Sequence, residues 1–273
     1  MNAEKFSFKE QNGIRYLESA LFAAGEDIIS GFSTRSGGVS KAPFSSLNLA
    51  FHTGDIPHKV KENRRRFFNT WKLKPERTIS GNQVHGLRVH ELTAKDIKNP
   101  GENGVVIPEC DAIISDIKGF TLTAYSADCF LVGMFHREKK VIALVHAGWR
   151  GVLGKIVLQT LSKMEDTYGC NREKILTTIY PGICYNCFEV GSEVALDFIK
   201  DNSFNKDFLK EKEDGRFLLN LKGLILRQLL EGKVLSENTG AADCCTACNP
   251  GLFFSYRRDG GETGRMMALL GLK

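Results

Sequence analysis

Between Gly119 and Gly151 three apolar runs, at 120–125, 130–135 and 141–145, follow one another so closely that a β-sheet core is the arrangement that accommodates them. Each run is too short for a buried helix and is rich in β-branched and aromatic residues, so each reads as a strand. Short connections favour antiparallel neighbours. The polar segment 136–140 has hairpin-loop length, and counting outward from it sets Cys129 opposite His146, to within one residue. Gly148-Trp149-Arg150-Gly151 then leads into a segment with Val152, Ile156, Val157, Leu161 and Met164 at helical spacing. His146 is thereby expected at a strand end. Arg150 falls beside a helix N-terminus, whose free N–H groups favour an anion such as phosphate.

The rest of the chain divides less sharply. Residues 29–33 read as a strand, followed by Arg35-Ser36-Gly37-Gly38-Val39, whose paired glycines permit a tight turn carrying one arginine. Residues 58–73 read as an amphipathic helix with Arg64, Arg65 and Arg66 on a solvated face, and further helices are expected at 191–200 and 219–230. With no repeat, low-complexity tract or linker, one domain spanning 1–273 is expected. A content of 42% hydrophobic and 25% charged residues suffices for a full core.

The net charge of +5 favours anionic small molecules, but the three-arginine run has no aromatic platform beside it and does not make a nucleic-acid patch. No apolar run reaches the ~18 residues of a membrane span, and MNAEKFSFKE lacks the apolar core of a secretory signal, which predicts a cytoplasmic protein. In that setting the eight cysteines are expected as reduced thiols or metal ligands. His58 and His136, two of six histidines, fall in segments expected to be exposed.

A lone cysteine in an apolar strand is usually a small core residue, and a lone histidine is usually structural. Their expected contact at one end of a hairpin, before a glycine-flanked loop and a helix N-terminus, points instead to a site. Thiolate and imidazole suit zinc, and a catalytic zinc site takes three protein ligands plus an open position. Periodicity does not place the third ligand, since His85 lies far upstream.

Asn82-Gln83-Val84-His85-Gly86, Ala127-Asp128-Cys129 and His146-Ala147-Gly148-Trp149-Arg150-Gly151 resemble the three signature motifs of the bacterial purine nucleoside phosphorylase family. That family is also called multicopper polyphenol oxidoreductase, laccase-domain protein or peptidoglycan editing factor. Gly37-Gly38-Val39-Ser40, Ser46-Leu47-Asn48-Leu49, Phe188-Glu189-Val190-Gly191 and the segment from Phe253 to Gly260 extend the likeness, in order, over nearly the whole chain. The resemblance implies a single-domain α+β fold of four layers, α/β/β/α, with mixed sheets, similar to the catalytic domain of cytotoxic necrotizing factor. It implies metal ligands His85, Cys129 and His146. It implies phosphorolysis of adenosine, inosine and methylthioadenosine, and deamination of adenosine.

Deamination is intelligible at zinc, which lowers the pKa of a water toward ~7. Phosphorolysis needs cations against phosphate, for which Arg35 and Arg150 are candidates. Asp128 is a candidate proton carrier or brace, and Asn48 and Gln83 are candidates for substrate contact or loop bracing. Arg257 and Arg258 read as structural ion-pair partners. Cys184-Tyr185-Asn186-Cys187 and Cys245-Thr246-Ala247-Cys248 are two C-x-x-C pairs, for which a structural zinc site and buried thiols both stand, the latter favoured because the pairs are so far apart. Three other readings use the same centre: a cysteine hydrolase with Cys129 as nucleophile and His146 as base, a copper centre with polyphenol oxidase activity, and a binding module with a closed metal site.

Overall fold

The computed structural model describes residues 6–24 and 27–273. The first five residues of the N-terminal stretch read above lie outside them. The architecture is mixed α/β, with two large sheets packed face to face and a small three-stranded sheet beside them. The seven-stranded sheet runs, in spatial order, Phe6–Gln11, Ile14–Ser19, Ile28–Ser33, Met266–Leu272, Thr121–Ser126, Thr78–Gly81 and Val105–Ile107. The six-stranded sheet runs Thr239–Ala241, Ile175–Ile179, Phe130–His136, Val141–Ala147, Ala112–Ser115 and Val89–Glu91. Both mix parallel and antiparallel pairs.

Strand alternation explains the layering, because residues two apart share a face. On Phe130–His136 and Val141–Ala147, Leu131, Phe135, Ile142 and Leu144 face Phe32, Leu122, Ala268 and Leu270 of the other sheet. The alternate residues Val132, Met134, Ala143 and Val145 pack under the helices Ile156–Tyr168 and Leu221–Glu231. The helix Pro57–Asn69 lies on the far face of the seven-stranded sheet, where Phe67 and Phe68 meet Tyr125, Met267 and Leu269. The order helix, sheet, sheet, helix follows. Among the described residues no helix is long and apolar enough to cross a membrane.

Several expectations need correcting. The strand 120–125 is found as Thr121–Ser126, but it is not a sheet neighbour of the next strand: it pairs with Met266–Leu272, while Phe130–His136 belongs to the other sheet. Ala127, Asp128 and Cys129 therefore carry the chain from one sheet to the other. The hairpin register is also shifted. His136 pairs with Val141 and His146 with Leu131, so the turn holds four residues, 137–140, and Cys129 lies two residues beyond the expected partnership.

The same shift puts His136 inside the strand, 1% exposed, rather than in an exposed loop, whereas His58 is exposed as expected. The helix expected after Gly151 is two helices, Trp149–Leu153 and Ile156–Tyr168, broken where Lys155 takes φ +62°. Pro57–Asn69 stops short of residue 73, because a turn through Lys72 at φ +55° returns Leu73 to the core. Arg64 is not on a solvated face: it is buried, and its guanidinium donates to the Tyr125 hydroxyl at 2.7 Å and to the Asn103 carbonyl at 3.1 Å. The helices expected at 191–200 and 219–230 are found as Ser192–Asp201 and Leu221–Glu231.

Candidate metal centre and cleft

His85, Cys129 and His146 come together from three different stretches of backbone, with ligand atoms all within 4.8 Å of one another. His146 sits one residue from the end of Val141–Ala147 and is 4% exposed. Cys129 sits on the crossing between sheets, half-buried, and His85 on an exposed loop after Thr78–Gly81. The crossing is tight: Asp128 is held at φ +96° and His85 at φ +57°, left-handed conformations that non-glycine residues adopt at a cost of about 1–3 kcal/mol. Gly148 is required by the approach of these groups. A Cβ there would lie 2.8 Å from His85 Nδ1 and 3.2 Å from Cys129 Sγ.

The residue that organises this centre, Asp111, was not singled out from the sequence. Its carboxylate is 3% exposed and accepts four hydrogen bonds. Oδ2 receives the backbone N–H groups of Val84 at 3.1 Å and Gly86 at 2.8 Å. Oδ1 receives the N–H of His85 at 3.0 Å and Nδ1–H of His146 at 2.8 Å. One carboxylate thus shapes the loop that carries one imidazole and fixes the ring of the other, leaving His146 Nε2 for the centre. The His85 and His146 rings stand 4.8 Å apart at 70°.

The electrostatics follow from this crowding. Burial alone would push the Cys129 thiol up, but the His146 and His85 rings outweigh it and bring the thiol down to about 6. Burial alone would lower His146, but the Cys129 thiolate and the Asp111 carboxylate raise it to about 9. Burial opposes ionisation of Asp111 as well, and its hydrogen bonds from His146 and the 84–86 backbone hold it below its ordinary value. Both shifts favour a thiolate–imidazolium pair between Cys129 and His146, with the Asp111 carboxylate behind the ring.

The three residues of the centre line a cleft of about 530 Å³, within the ordinary range of small-ligand sites. Arg150, Arg257 and Arg265 line it, together with Trp149, Phe188 and Tyr256. Arg150 lies over the Trp149 ring at 4.2 Å, Arg257 over Phe188 at 5.5 Å and Arg265 over Tyr256 at 5.5 Å. Arg150 belongs to the first turn of Trp149–Leu153, close to where a helix start was expected. Arg257 and Arg258 part company: Arg258 pairs with Asp259 at 2.7 Å, while Arg257 faces the cleft instead of an ion-pair partner role.

The other candidates fall into two groups. Gln83 and Asp128 line the cleft, but their polar atoms are engaged. Gln83 donates to the Tyr125 carbonyl and accepts from the Tyr125 N–H, both at 2.8 Å, so it caps the strand that leads to Cys129. Asp128 accepts from Thr246 Oγ1 at 2.6 Å, Ser255 Oγ at 3.0 Å and the Arg257 N–H at 2.7 Å, tying the crossing to both C-terminal loops. Arg35 and Asn48 are not among the cleft residues. Arg35 donates to the Ser45 and Pro250 carbonyls, and buried Asn48 bonds Ala50, Thr53 and Asp55 and accepts from the Arg265 N–H.

Comparison with known proteins gives a consistent picture. The family model described as multi-copper polyphenol oxidoreductase laccase matches residues 29–273. A Deinococcus radiodurans protein named purine nucleoside phosphorylase is 36% identical over 241 residues, 88% of this chain and 88% of that one. Escherichia coli purine nucleoside phosphorylase YfiH is 35% identical over 88% of this chain and 92% of its own, and Bacillus subtilis purine nucleoside phosphorylase YlmD is 30% identical over 91% and 90%. Among solved structures, YlmD from Geobacillus stearothermophilus superposes with a TM-score of 0.89 at 30% identity, covering 99% of this chain and 100% of that one.

Proposed function

Since the chain belongs to the multi-copper polyphenol oxidoreductase laccase family, whose relatives here carry the name purine nucleoside phosphorylase, we propose that it is a zinc-dependent purine nucleoside enzyme. The reading includes phosphorolysis of adenosine, inosine and methylthioadenosine, and deamination of adenosine. The observation that carries it is the cleft's lining: two imidazoles and a cysteine sulfur within 4.8 Å of one another, in the same cleft as three arginines.

The donor set fits zinc. It offers one sulfur and two ring nitrogens, one ring is oriented from behind by a carboxylate, and a thiol already shifted to about 6 ionises readily to a ligand. His85, Cys129 and His146 would hold the ion as three ligands, leaving a fourth position for water or substrate. A zinc ion there would supply Lewis acidity and a site for water, which is what hydrolytic loss of the purine amino group requires. Copper suits two imidazoles and a thiolate as well, and an oxidase activity would require that metal.

In phosphorolysis a phosphate oxygen forms a bond to the ribose anomeric carbon as the bond to the purine nitrogen breaks, giving free base and ribose 1-phosphate. Arg150, Arg257 and Arg265 would hold the phosphate and offset its charge. Trp149, Phe188 and Tyr256 present flat apolar surface for the base, and Asp128 positions the wall that carries Arg257. Incubating metal-quantified protein with adenosine, with and without phosphate, and separating the products tests this. Adenine formed with phosphate alone marks phosphorolysis, and inosine formed without it marks deamination. If zinc-loaded protein yields neither, or Cys129→Ala matches the wild type, the nucleoside reading fails.

A second reading is favoured by one observation, the thiolate–imidazolium pair backed by Asp111, which is also the arrangement of a cysteine hydrolase. It requires metal-free protein to be the active form and alkylation of Cys129 to abolish turnover.

A further inference from the structure

The two C-x-x-C pairs, separated by 61 residues, meet in space. We infer that Cys184, Cys187, Cys245 and Cys248 form a second, structural zinc site that clamps the wall of the cleft. All four sulfurs lie within 4.8 Å of one another, with Cys184 and Cys187 at 3.9 and 3.3 Å from Cys248. A tetrahedral site with Zn–S bonds of 2.3 Å has sulfur–sulfur edges of about 3.8 Å. The four thiols therefore already stand at the corners of a one-ion site.

Burial does not account for them. Cys245 alone is buried, Cys184 and Cys187 are half-exposed and Cys248 is exposed, which corrects the expectation of core thiols. Cys245 is placed to be a thiolate. Backbone N–H groups of Cys184 and Cys248 donate to Cys245 Sγ at 3.2 and 3.5 Å. Arg258, itself paired with Asp259, braces the second turn by donating to the Thr246 and Ala247 carbonyls.

The position gives the site its consequence. Gly182 bridges Cys245 in parallel, and the Thr246 N–H donates to the Gly182 carbonyl at 3.1 Å. On one side of this junction the Ile183 N–H reaches the Asp128 carbonyl at 2.9 Å, and on the other Thr246 Oγ1 reaches the Asp128 carboxylate. Ile183 and Phe188 flank the first pair and line the cleft. A zinc ion at the four sulfurs would fix both loops against the crossing that carries Cys129.

The test is metal analysis of the full chain with Cys129→Ala as the reference, since that variant removes only the other centre. Cys129→Ala should retain one tightly held zinc per chain. Replaced by cobalt, that ion should give the intense thiolate-to-metal absorption of a tetrathiolate site. Adding Cys184→Ser and Cys248→Ser should abolish both, and in metal-replete wild type the four thiols should resist alkylation that modifies them after chelation. Zinc absent from Cys129→Ala, free alkylation of all four thiols in replete protein, a disulfide among them, or iron in place of zinc would overturn the inference.

Discussion

Replacing Asp111 by asparagine isolates the role of its charge with almost no change of shape. The carboxylate offers two acceptor oxygens, each receiving two donors: Val84 and Gly86 N–H on Oδ2, His85 N–H and His146 Nδ1–H on Oδ1. An amide has one acceptor and one NH₂ group, so in either orientation two donors face another donor. At a side chain 3% exposed, stranding two such groups at ~1–3 kcal/mol each costs about 4 kcal/mol, or a fall in Tm of roughly 10 °C for a chain of this size. Because the same oxygen fixes the His146 ring, zinc affinity at His85, Cys129 and His146 should drop by about 10–100-fold. Calorimetry and competition against a chelator, run on Asp111→Asn in a background lacking Cys184 and Cys248, read both effects. Asp111→Asn melting within 2 °C of its parent and holding zinc as tightly would refute the claim that Asp111 organises the centre.

Other outcomes follow from the same geometry. In metal-free protein the Cys129 thiolate fraction should rise with pH through one half near about 6, so iodoacetamide should be slow at pH 5 and near its plateau by pH 7, where a free thiol at ~8.5 is still climbing; a midpoint above 8 would contradict the pairing with His146. Gly148→Ala places a methyl 2.8 Å from His85 Nδ1 and should weaken zinc more than tenfold in a chelator titration while the protein stays folded; unchanged affinity would show that the approach is not needed. Arg257→Ala should raise the KM for phosphate about tenfold or more with metal content unchanged, while Arg35→Ala, outside the cleft, should not; equal effects would count against the phosphate assignment.

The residues of the candidate centre were legible in the sequence to a greater degree than their spatial relations. Short continuous apolar runs identified the strands around Cys129 and His146, because a strand buried on both faces leaves little choice of residue. The relation between the strands was hidden. A four-residue step from Ser126 to Phe130 looks like a hairpin connection, yet it changes sheets, through Asp128 at φ +96°. The register slipped because His136, although polar, is buried in the strand rather than part of the turn. Asp111 gave no signal, since one carboxylate before a four-residue strand looks like any strand edge. Arg265 was invisible for a different reason: its backbone docks on Asn48, 217 residues earlier, and no local pattern encodes such a contact. Buried thiols were favoured over a joint zinc site for the two cysteine pairs for the same reason: no local pattern shows that they meet.

The most direct measurement titrates zinc into metal-free protein and follows, in the same samples, adenine release from adenosine and phosphate and the alkylation of Cys129 by mass spectrometry. Activity and protection of Cys129 should rise together, since in this account the thiolate serves as a zinc ligand during turnover. Turnover that is highest without metal and disappears as Cys129 is alkylated would contradict it, and would make the thiolate–imidazolium pair the catalyst.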